Sequence, residues 1–405
     1  MTTFIEGGVT AAKGFTAGGV HCGIRKNRSK RDLALIVSDR PAAAAAVYTR
    51  NLVKGAPLTI TKRHLENGTA RAIVCNSGIA NTCAADGLET AEAMCRLAAD
   101  ALGIDASDVL PASTGVIGPS LPLEPIAAAM PALAASLSAS GSAEAAEAIM
   151  TTDTRKKEFA VTFRAGGKTC ALGGIAKGSG MIAPNMATML CFLTTDAAIT
   201  PSLLHEALLD VVGDTFNMLT VDGDPSTNDT VALLANGAAE NSLITEKSAD
   251  YDAFCGALRA LCAAIVRALA ADGEGATRLL EVQVRGGATR EDARTAARAV
   301  AGSSLLKAAI FGADANWGRV LCAIGYSGAK VDVQGVDVAF ESSAGRIDVC
   351  RNGAGIPFDE DTAKTILTVP EITVDIRLHD GDASARAWGC DLTYDYVKIN
   401  GDYRS

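Results

Sequence analysis

The stretch "KGSGMIAPNMATML", residues 177–190, places a lysine, two glycines and one threonine at the edge of an apolar run. Thr188 follows a bend expected at Pro184-Asn185 and precedes "MLCFLTTDA", whose composition predicts a buried strand. None of the four histidines lies in a glycine-rich or strained motif, and the G-x-S-x-G motif of serine hydrolases is absent. The question is therefore how this hydroxyl could react without a histidine base.

A threonine hydroxyl can act as a nucleophile when its own α-amine is the base, because that amine has a pKa of about 7.7–8.0. Thr188 would then have to be a chain terminus, so the sequence predicts a cut between Ala187 and Thr188. Attack of the Thr188 hydroxyl on the Ala187 carbonyl gives an ester, which water opens. The predicted products are chains 1–187 and 188–405.

Other motifs give weaker indications of chemistry. "GGKT" at 166–169 is not a phosphate-binding loop, because the loop's first glycine falls on Thr162, and a hairpin turn is expected instead. "DGDPSTND" at 222–229 lacks the residue order of a calcium loop and predicts a polar loop. The eleven cysteines form no C-x-x-C pair and lie mostly in apolar runs, which favours buried reduced thiols. We therefore expect no metal and no cofactor.

Composition limits the classes of partner and location. The net charge of −9 argues against a nucleic-acid partner, because phosphate binding needs a basic surface. The first residues, "MTTFIEGGVTAAKGF", do not resemble a signal peptide. No window reaches the roughly 18 uninterrupted apolar residues that a membrane helix requires. These features predict a cytoplasmic protein that does not contact a membrane.

Strand-like and helix-like segments alternate up to about residue 279. Strands are expected from Leu33, Arg71, Thr169 and Met189. Apolar residues at spacings of three and four predict a helix over 251–269, and the alanine-rich stretches "TAEAMCRLAADALG" and "PIAAAMPALAASLSAS" predict two more. The pattern indicates an α/β or α+β fold with mixed sheets.

The texture changes after residue 279, which predicts a main domain over 1–279 and a smaller α/β domain over 280–405. "LLEVQVRGG" predicts a strand and "TREDARTAARAVAGS" an amphipathic helix. "VDVAF", "EITVDIRL" and "CDLTYDYVKIN" predict a tail dominated by strands. A hairpin is expected around Asp380-Gly381-Asp382.

Nine blocks of the sequence, taken together and in order, resemble the ornithine acetyltransferase family from end to end. They are "GFTAGGVHCGIR", "NSGIANTC", "PASTGVIG", "IMTTDT", "AKGSGMIAPNMATML", "TVDGDPSTNDT", "DGEGATR", "GADANWGR" and "YVKINGDYRS". The resemblance implies a layered α-β-β-α sandwich of the N-terminal-nucleophile kind, with a smaller C-terminal α/β domain.

The resemblance also implies roles for individual residues. Thr188 matches the family's nucleophile after cleavage at Ala187, and Thr114 and Gly115 match its oxyanion hole. A hydroxyl and a glycine N–H can both point at one developing oxyanion, which is sound chemistry for that role. The residues that match substrate contacts are Thr151, Thr152, Lys177, Thr188, Glu274, Asn400 and Ser405. Which of Thr151 and Thr152 contacts substrate stays open.

The implied reaction moves an acetyl group from N-acetylornithine to Thr188 and then to glutamate. The resemblance leaves open whether acetyl-CoA is also a donor, and it implies an α2β2 or larger assembly of the cleaved chains. Two other classes stay open on the residues alone. One is a peptidase of the same architecture, which transfers the acyl group to water. The other is a binding or scaffold protein, which needs no cleavage.

Overall fold

A computed structural model describes residues 2–182 and 189–402. The strands are β1 (Thr3–Ile5), β2 (Phe15–Val20), β3 (Leu33–Tyr48), β4 (Thr69–Ile79), β5 (Val109–Val116), β6 (Lys157–Ala165), β7 (Lys168–Lys177), β8 (Leu190–Thr195), β9 (Thr230–Ala235), β10 (Leu279–Gly287), β11 (Asp337–Ser342), β12 (Gly345–Arg351), β13 (Ala354–Gly355), β14 (Glu371–Arg377) and β15 (Ala383–Cys390). The helices are α1 (Ala56–His64), α2 (Gly87–Leu102), α3 (Leu123–Ala135), α4 (Ser142–Ala148), α5 (Pro201–Asp214), α6 (Ala249–Ala271), α7 (Arg290–Gly302), α8 (Ser304–Phe311), α9 (Trp317–Tyr326), α10 (Glu360–Leu367) and α11 (Tyr394–Asp402).

The first nine strands of the described chain form one mixed sheet, in the order β1-β6-β7-β8-β9-β3-β4-β5 with β2 on β3. The long strand β3 belongs to both halves of this sheet. Its first part pairs with β2 and β4, and residues Ala43–Tyr48 pair with β9. The register breaks between Val37 and Ala42, and such an irregularity bends a strand. The sheet therefore divides into two halves at β3.

Three apolar cores show how these halves stack. A core rich in alanine lies between them and includes Ile36 of β3 and Phe192 of β8. A second core packs α2 and α3 on the outer face of the half that contains β4 and β5. The largest packs α5 and α6 on the outer face of the other half. The order is helix, sheet, sheet, helix, so the predicted layered sandwich is confirmed.

The second sheet has the order β13-β12-β11-β14-β10-β15 in the described residues. Strand β10 is parallel to β14 and antiparallel to β15. Helices α7 and α10 pack on this sheet, and the largest core continues into it through residues such as Val282 and Val374. The sheet begins at Leu279, beside the predicted domain division, and that division itself stays a prediction.

Most elements predicted in the first half of the chain are present. Strands β3, β4, β7 and β8 begin within two residues of the expected positions, and α6 contains the predicted helix 251–269. "GGKT" forms the β6–β7 hairpin turn, where Ala165 pairs with Lys168. By length and composition α6 could cross a membrane, but half of its apolar window is buried, and the helix packs on β6 and β7.

Two predictions for the tail are wrong. No hairpin joins β14 to β15, because β10 lies between them and pairs with both. The segment "YDYVKIN" lies in helix α11 rather than in a strand. A short stretch with alternating polarity fits both periods, so it could not distinguish a strand from a one-sided helix.

Candidate active site

A cavity of about 470 Å³ is lined by the ends of strands β5 and β7 and by helix α11. Seven of the predicted site residues line it: Thr114, Gly115, Thr151, Thr152, Lys177, Glu274 and Asn400. They come from five separate segments of sequence, so only the fold brings them together. Ala187, Thr188 and Ser405 lie outside the described residues.

The predicted oxyanion pair lies at the end of β5, where the backbone geometry is unusual. Strand β5 runs parallel to β4, and Gly115 pairs with Gly78 just before the register shifts at Ile79. Gly115 has a φ of +130°, and a Cβ there would lie 2.2 Å from the carbonyl carbon of Gly78. Only glycine fits this position, which leaves the Gly115 backbone exposed to the cavity beside Thr114.

Lys177 is the last residue of β7 and pairs with Leu190, the first residue of β8. Lys177 is only 9% exposed, and no carboxylate of the described residues lies within ion-pair distance of its ammonium, although its charge interacts with the buried carboxyls of Asp153 and Asp229. The neighbouring Asp153 binds Lys157 instead. A nearly buried and unpaired ammonium in a cavity favours an anionic ligand such as a carboxylate.

Glu274 supplies the opposite charge in the turn that follows α6. Its amide donates to the carbonyl of Ser179 at 2.9 Å, and its Oε2 accepts from Nδ2 of Asn400 at 2.8 Å. A Cβ on Gly180 would lie 2.3 Å from the same Oε2. The Glu274 carboxylate can therefore occupy this part of the cavity only because Gly180 has no side chain.

A buried ion cluster, which sequence reasoning missed, supports these residues from behind. Lys157 Nζ lies 2.5 Å from Oδ1 of Asp153 and 2.5 Å from Oδ2 of Asp272. Burial opposes the ionised form of Asp153, but the charges of Lys157 and Lys177 and the amide of Gly178 lower its pKa to about 2. The cluster ties β6 to the end of β7 and to the turn that carries Glu274.

The loop with Thr151 and Thr152 is held at both ends. Asp153 accepts from the amide of Thr151 at 3.0 Å and from that of Gly178 at 2.7 Å. Arg25 donates to the carbonyls of Met150 at 2.8 Å and Thr151 at 3.2 Å. Arg25 of the "GIR" motif therefore fixes the loop that contains the "TTDT" motif. No local sequence pattern could reveal this long-range contact.

Asp222 is a second residue that sequence reasoning treated only as part of a polar loop. Its carboxylate accepts from the amides of Met181 and Ile182, both at 2.6 Å, and from the Tyr396 hydroxyl at 3.4 Å. Burial and the Asp222 charge raise the pKa of Tyr396. Asp222 thus fixes the chain that leads toward the predicted cut and also contacts α11.

The loop "DGDPSTND" connects strand β5, which carries Thr114 and Gly115, to the rest of the site. Asn228 donates to the carbonyls of Ala80 at 2.6 Å and Ser113 at 2.9 Å. Its Oδ1 accepts from Thr82 at 2.6 Å and from Thr227 at 2.5 Å. Both polar atoms of the Asn228 side chain are therefore hydrogen-bonded. These bonds connect its own loop to the motifs "NSGIANTC" and "PASTGVIG".

The sequence pattern of the ArgJ family matches residues 16–405. This chain belongs to the ArgJ family. The arginine biosynthesis bifunctional protein ArgJ of Symbiobacterium thermophilum is 53% identical over 404 residues, which cover 99% of this chain and 100% of that protein. The extent of the match agrees with the resemblance found in the nine sequence blocks.

Two solved structures of this kind are similar to parts of the chain. The ArgJ crystal structure from Bacillus halodurans matches with 44% identity and a TM-score of 0.50, and covers 52% of this chain and 98% of the solved one. The ornithine acetyltransferase of Mycobacterium tuberculosis, solved with ornithine, is 38% identical with a TM-score of 0.43, and covers 46% of this chain and 100% of the solved one.

ArgJ family membership makes this protein an acetyltransferase of arginine biosynthesis. It decides between the classes that the residues alone left open, because neither a scaffold protein nor a peptidase has this activity. The relatives from Symbiobacterium thermophilum and Bacillus subtilis are both described as bifunctional.

Proposed function

We propose that this member of the ArgJ family transfers an acetyl group from N-acetylornithine to glutamate through an acetyl-Thr188 intermediate. We include acetyl-CoA as a second donor, which the relatives' description as bifunctional supports. The main observation behind the proposal is a single cavity that holds the Thr114–Gly115 pair, the unpaired ammonium of Lys177 and the carboxylate of Glu274.

Self-cleavage is the first proposed step. The Thr188 hydroxyl attacks the carbonyl carbon of Ala187, the C–N bond breaks, and the proton moves to the new Thr188 amine. Water then hydrolyses the ester, which leaves a carboxylate on Ala187 and restores the hydroxyl. Asp222 supports this step by holding the amides of Met181 and Ile182 upstream of the cut.

Acetyl transfer follows on the freed threonine. The Thr188 amine takes the hydroxyl proton while Oγ attacks the acetyl carbonyl, and the same proton passes to the departing ornithine amine. The amine of glutamate then attacks the ester and leaves as N-acetylglutamate. Thr114 and the Gly115 amide would stabilise both oxyanions, and one such donor typically contributes about 2.7–4 kcal/mol.

The charges of the cavity suit an amino acid that carries an extra amine. Lys177 would hold the α-carboxylate, which N-acetylornithine and glutamate share. Glu274 would accept from the side-chain amine of ornithine, at the place where Asn400 now donates to it. Thr151 and Thr152 line the same cavity and would contribute hydroxyl contacts.

The length of the solved Bacillus halodurans chain supports cleavage, since the match covers nearly all of it but only 52% of this chain. We further propose that the two fragments assemble as α2β2 or larger, in the cytoplasm. Pairing of β7 with β8 and of β3 with β9 supports the lasting association of the fragments, because each pair would join the two chains.

Mass spectrometry of the purified protein tests the proposal. We expect fragments that end at Ala187 and begin at Thr188, and a mass increase of one acetyl group on the second fragment after incubation with N-acetylornithine alone. Thr188→Ala should remain full length and unacetylated. An acetyl group on any other residue, with turnover intact, would contradict the proposed intermediate.

A further inference from the structure

A second cavity, of about 540 Å³, lies where α5, α6 and α7 meet β10 and β15. Five arginines line it, with a single carboxylate, that of Asp214. We call it the arginine cleft; its arginines are Arg259, Arg285, Arg290, Arg294 and Arg386. Other carboxylates lie beside the lining arginines: Asp210 is 2.6 Å from Arg259, Asp375 is 3.3 Å from Arg285, and Glu281 is 3.9 Å from Arg386. Among the described residues, five arginines thus face four carboxylates, which leaves a small excess of positive charge.

Three of these arginines converge on Asp214 from two helices. Arg290 and Arg294, one turn apart on α7, both bind Asp214, and Nε of Arg294 donates at 3.0 Å. Arg259 of α6 lies 3.7 Å from the same carboxylate and 2.6 Å from Asp210. The three guanidinium groups carry about fifteen donors, whereas the carboxylates of Asp214 and Asp210 have about eight acceptor sites, so the donors outnumber the acceptors.

One donor in this group lacks any hydrogen-bond partner. Nε of Arg259 is buried and receives no acceptor from the described residues. A buried N–H without a partner costs free energy, and a rotation of the partly exposed Arg259 side chain toward an anion in the cleft would remove that cost. The convergence of planar guanidinium groups suits phosphate, which accepts paired hydrogen bonds from arginine.

The lining of the arginine cleft also has an apolar part, from Met218, Val284 and Trp388, which are nearly buried at 2%, 0% and 4% exposure. The indole N–H of Trp388 donates to Glu281 at 3.0 Å. The cleft thus combines several guanidinium groups with a small apolar surface. A ligand that matches both parts carries phosphate groups and an aromatic base.

We propose that the arginine cleft binds a phosphorylated nucleotide, with its phosphates on Arg290, Arg294 and Arg259 and its base toward Trp388. Two sources share this chemistry: a free nucleotide that acts as an effector, and the nucleotide part of an acyl-CoA donor. Only the second source rests on the proposed function.

The cleft is linked to the candidate active site by a short segment. Met218 lines the cleft and Asp222 lines the active-site cavity, so their Cα atoms are at most about 14 Å apart. Between them, the amide of Thr220 donates to the carbonyl of Trp388 at 2.9 Å. A ligand in the cleft therefore lies close to the segment that holds the active site.

Isothermal titration with adenosine 3′,5′-bisphosphate at low salt tests the site, with adenosine as the control ligand. We expect wild-type protein to bind the bisphosphate but not adenosine. The Arg290→Ala/Arg294→Ala double variant should bind at least about 100-fold more weakly, since each charge-assisted contact contributes tenfold or more. Arg346→Ala is the control, because Arg346 is also exposed and ion-paired but lies outside the cleft.

A second variant is needed because the double variant removes two ion-pair partners of Asp214 and could unfold the protein. Arg386 is 62% exposed, and its one carboxylate neighbour among the described residues, Glu281, also pairs with Arg267, so Arg386→Ala leaves no acid alone. It should weaken binding about tenfold with an unchanged melting temperature. Absence of binding at millimolar bisphosphate, or equal affinity in wild type and both cleft variants, would overturn the proposal.

Kinetics then identify the source. If the ligand is the donor's nucleotide, the double variant raises KM for acetyl-CoA at least tenfold and leaves transfer from N-acetylornithine unchanged. If it is a free nucleotide, added bisphosphate changes transfer from N-acetylornithine in wild type but not in the variant. If wild-type protein transfers acetyl from N-acetylornithine but binds no nucleotide, the nucleotide site in the cleft is refuted. The proposed function is then unaffected.

Discussion

At the scale of single residues, the active-site cavity holds two opposite charges that the protein leaves largely unused. Lys177 has no carboxylate partner in the described chain, and Glu274 receives one amide hydrogen bond, from Asn400. Burying such groups without partners is unfavourable, so their placement is explained best by a ligand that carries both charges. An amino acid with a side-chain amine meets this requirement.

Glu274→Gln and Lys177→Met should separate the two halves of the reaction. Loss of the Glu274 charge should weaken binding of N-acetylornithine about 10- to 150-fold and affect glutamate much less, because only N-acetylornithine carries a side-chain amine. Loss of the Lys177 charge should weaken both. The half-reactions can be measured separately by trapping acetyl-Thr188. Equal losses in both halves for Glu274→Gln would show that Glu274 only supports the architecture.

Gly180→Ala should impair the site although it adds a single methyl group. The new Cβ would lie 2.3 Å from the Glu274 carboxylate, which must therefore move. We expect KM for N-acetylornithine to rise about tenfold or more while the circular dichroism spectrum stays unchanged. Gly256→Ala on α6 is the matched control, because a Cβ there meets nothing within 4 Å. An unchanged KM in Gly180→Ala would argue against the place assigned to Glu274.

At the scale of elements, the site depends on the connection between the end of β7, the start of β6 and the turn after α6. Lys157, with a side chain 1% exposed, joins the carboxylates of Asp153 and Asp272. Asp272 also accepts from the amide of Thr154 at 3.0 Å. Because Gly178 and Glu274 are bonded into the same group of segments, the cluster positions both charges of the cavity.

Lys157→Met should therefore be strongly destabilising. It leaves two buried carboxylates without their cation, and breaking a buried pair in this way costs about 3–5 kcal/mol. Urea unfolding should show this loss in the free energy of unfolding. Lys247→Met, which breaks an exposed pair with Glu206, should leave the free energy of unfolding nearly unchanged, because water screens this pair. A similar small change in both variants would contradict the importance of the cluster.

The same cluster predicts how stability depends on acid. The pKa of Asp153 is about 2 in the folded protein, against about 3.9 in an unfolded chain. The carboxylate thus stabilises the fold above about pH 4, and this contribution of roughly 2 kcal/mol is lost as the pH falls through 2. Asp153→Asn should remove that part of the pH dependence of urea unfolding. Asp100→Asn, on the exposed surface of α2, should retain it; identical slopes in both variants would contradict the assignment.

At the scale of the whole molecule, the predicted cut separates in sequence two strands that pair in one sheet. Strands β7 and β8 lie on opposite sides of it and pair over six residue positions, from Leu172 opposite Thr195 to Lys177 opposite Leu190. Strand β9, also after the cut, pairs with β3 before it. Separation of the fragments would break these ladders and open the cores on both faces of the sheet.

Wild-type protein should therefore behave as one particle in native conditions and as two chains in denaturing conditions. We expect both fragments to elute together in size-exclusion chromatography, even at high salt, because strand pairing and apolar burial hold them rather than exposed charges. Thr188→Ala should elute at the same volume as a single chain. Fragments that separate without denaturant would contradict the account of the sheet across the cut.

The sequence by itself determined the local elements and the family. Periodicity was sufficient for α6 and for strands such as β3 and β8, because long runs of buried residues carry a strong signal. The motifs, as ordered blocks, indicated the layered sandwich and the residues of the cavity. Short segments with mixed polarity were misread, as with α11. Its contacts through Tyr396 and Asn400 are four residues apart, and this spacing fits the two-residue period of a strand as well as a turn of helix.

Only the tertiary structure revealed which distant residues act together. Lys157 binds Asp272 across 115 positions and Asp222 fixes Met181 across 41, and no local pattern encodes contacts of this kind. The arginine cleft likewise draws on α6, α7, β10 and β15, whose arginines are unremarkable in sequence. Charge converges at a point only when packing sets the distances, because electrostatic and hydrogen-bond energies depend on separation in space and not along the chain.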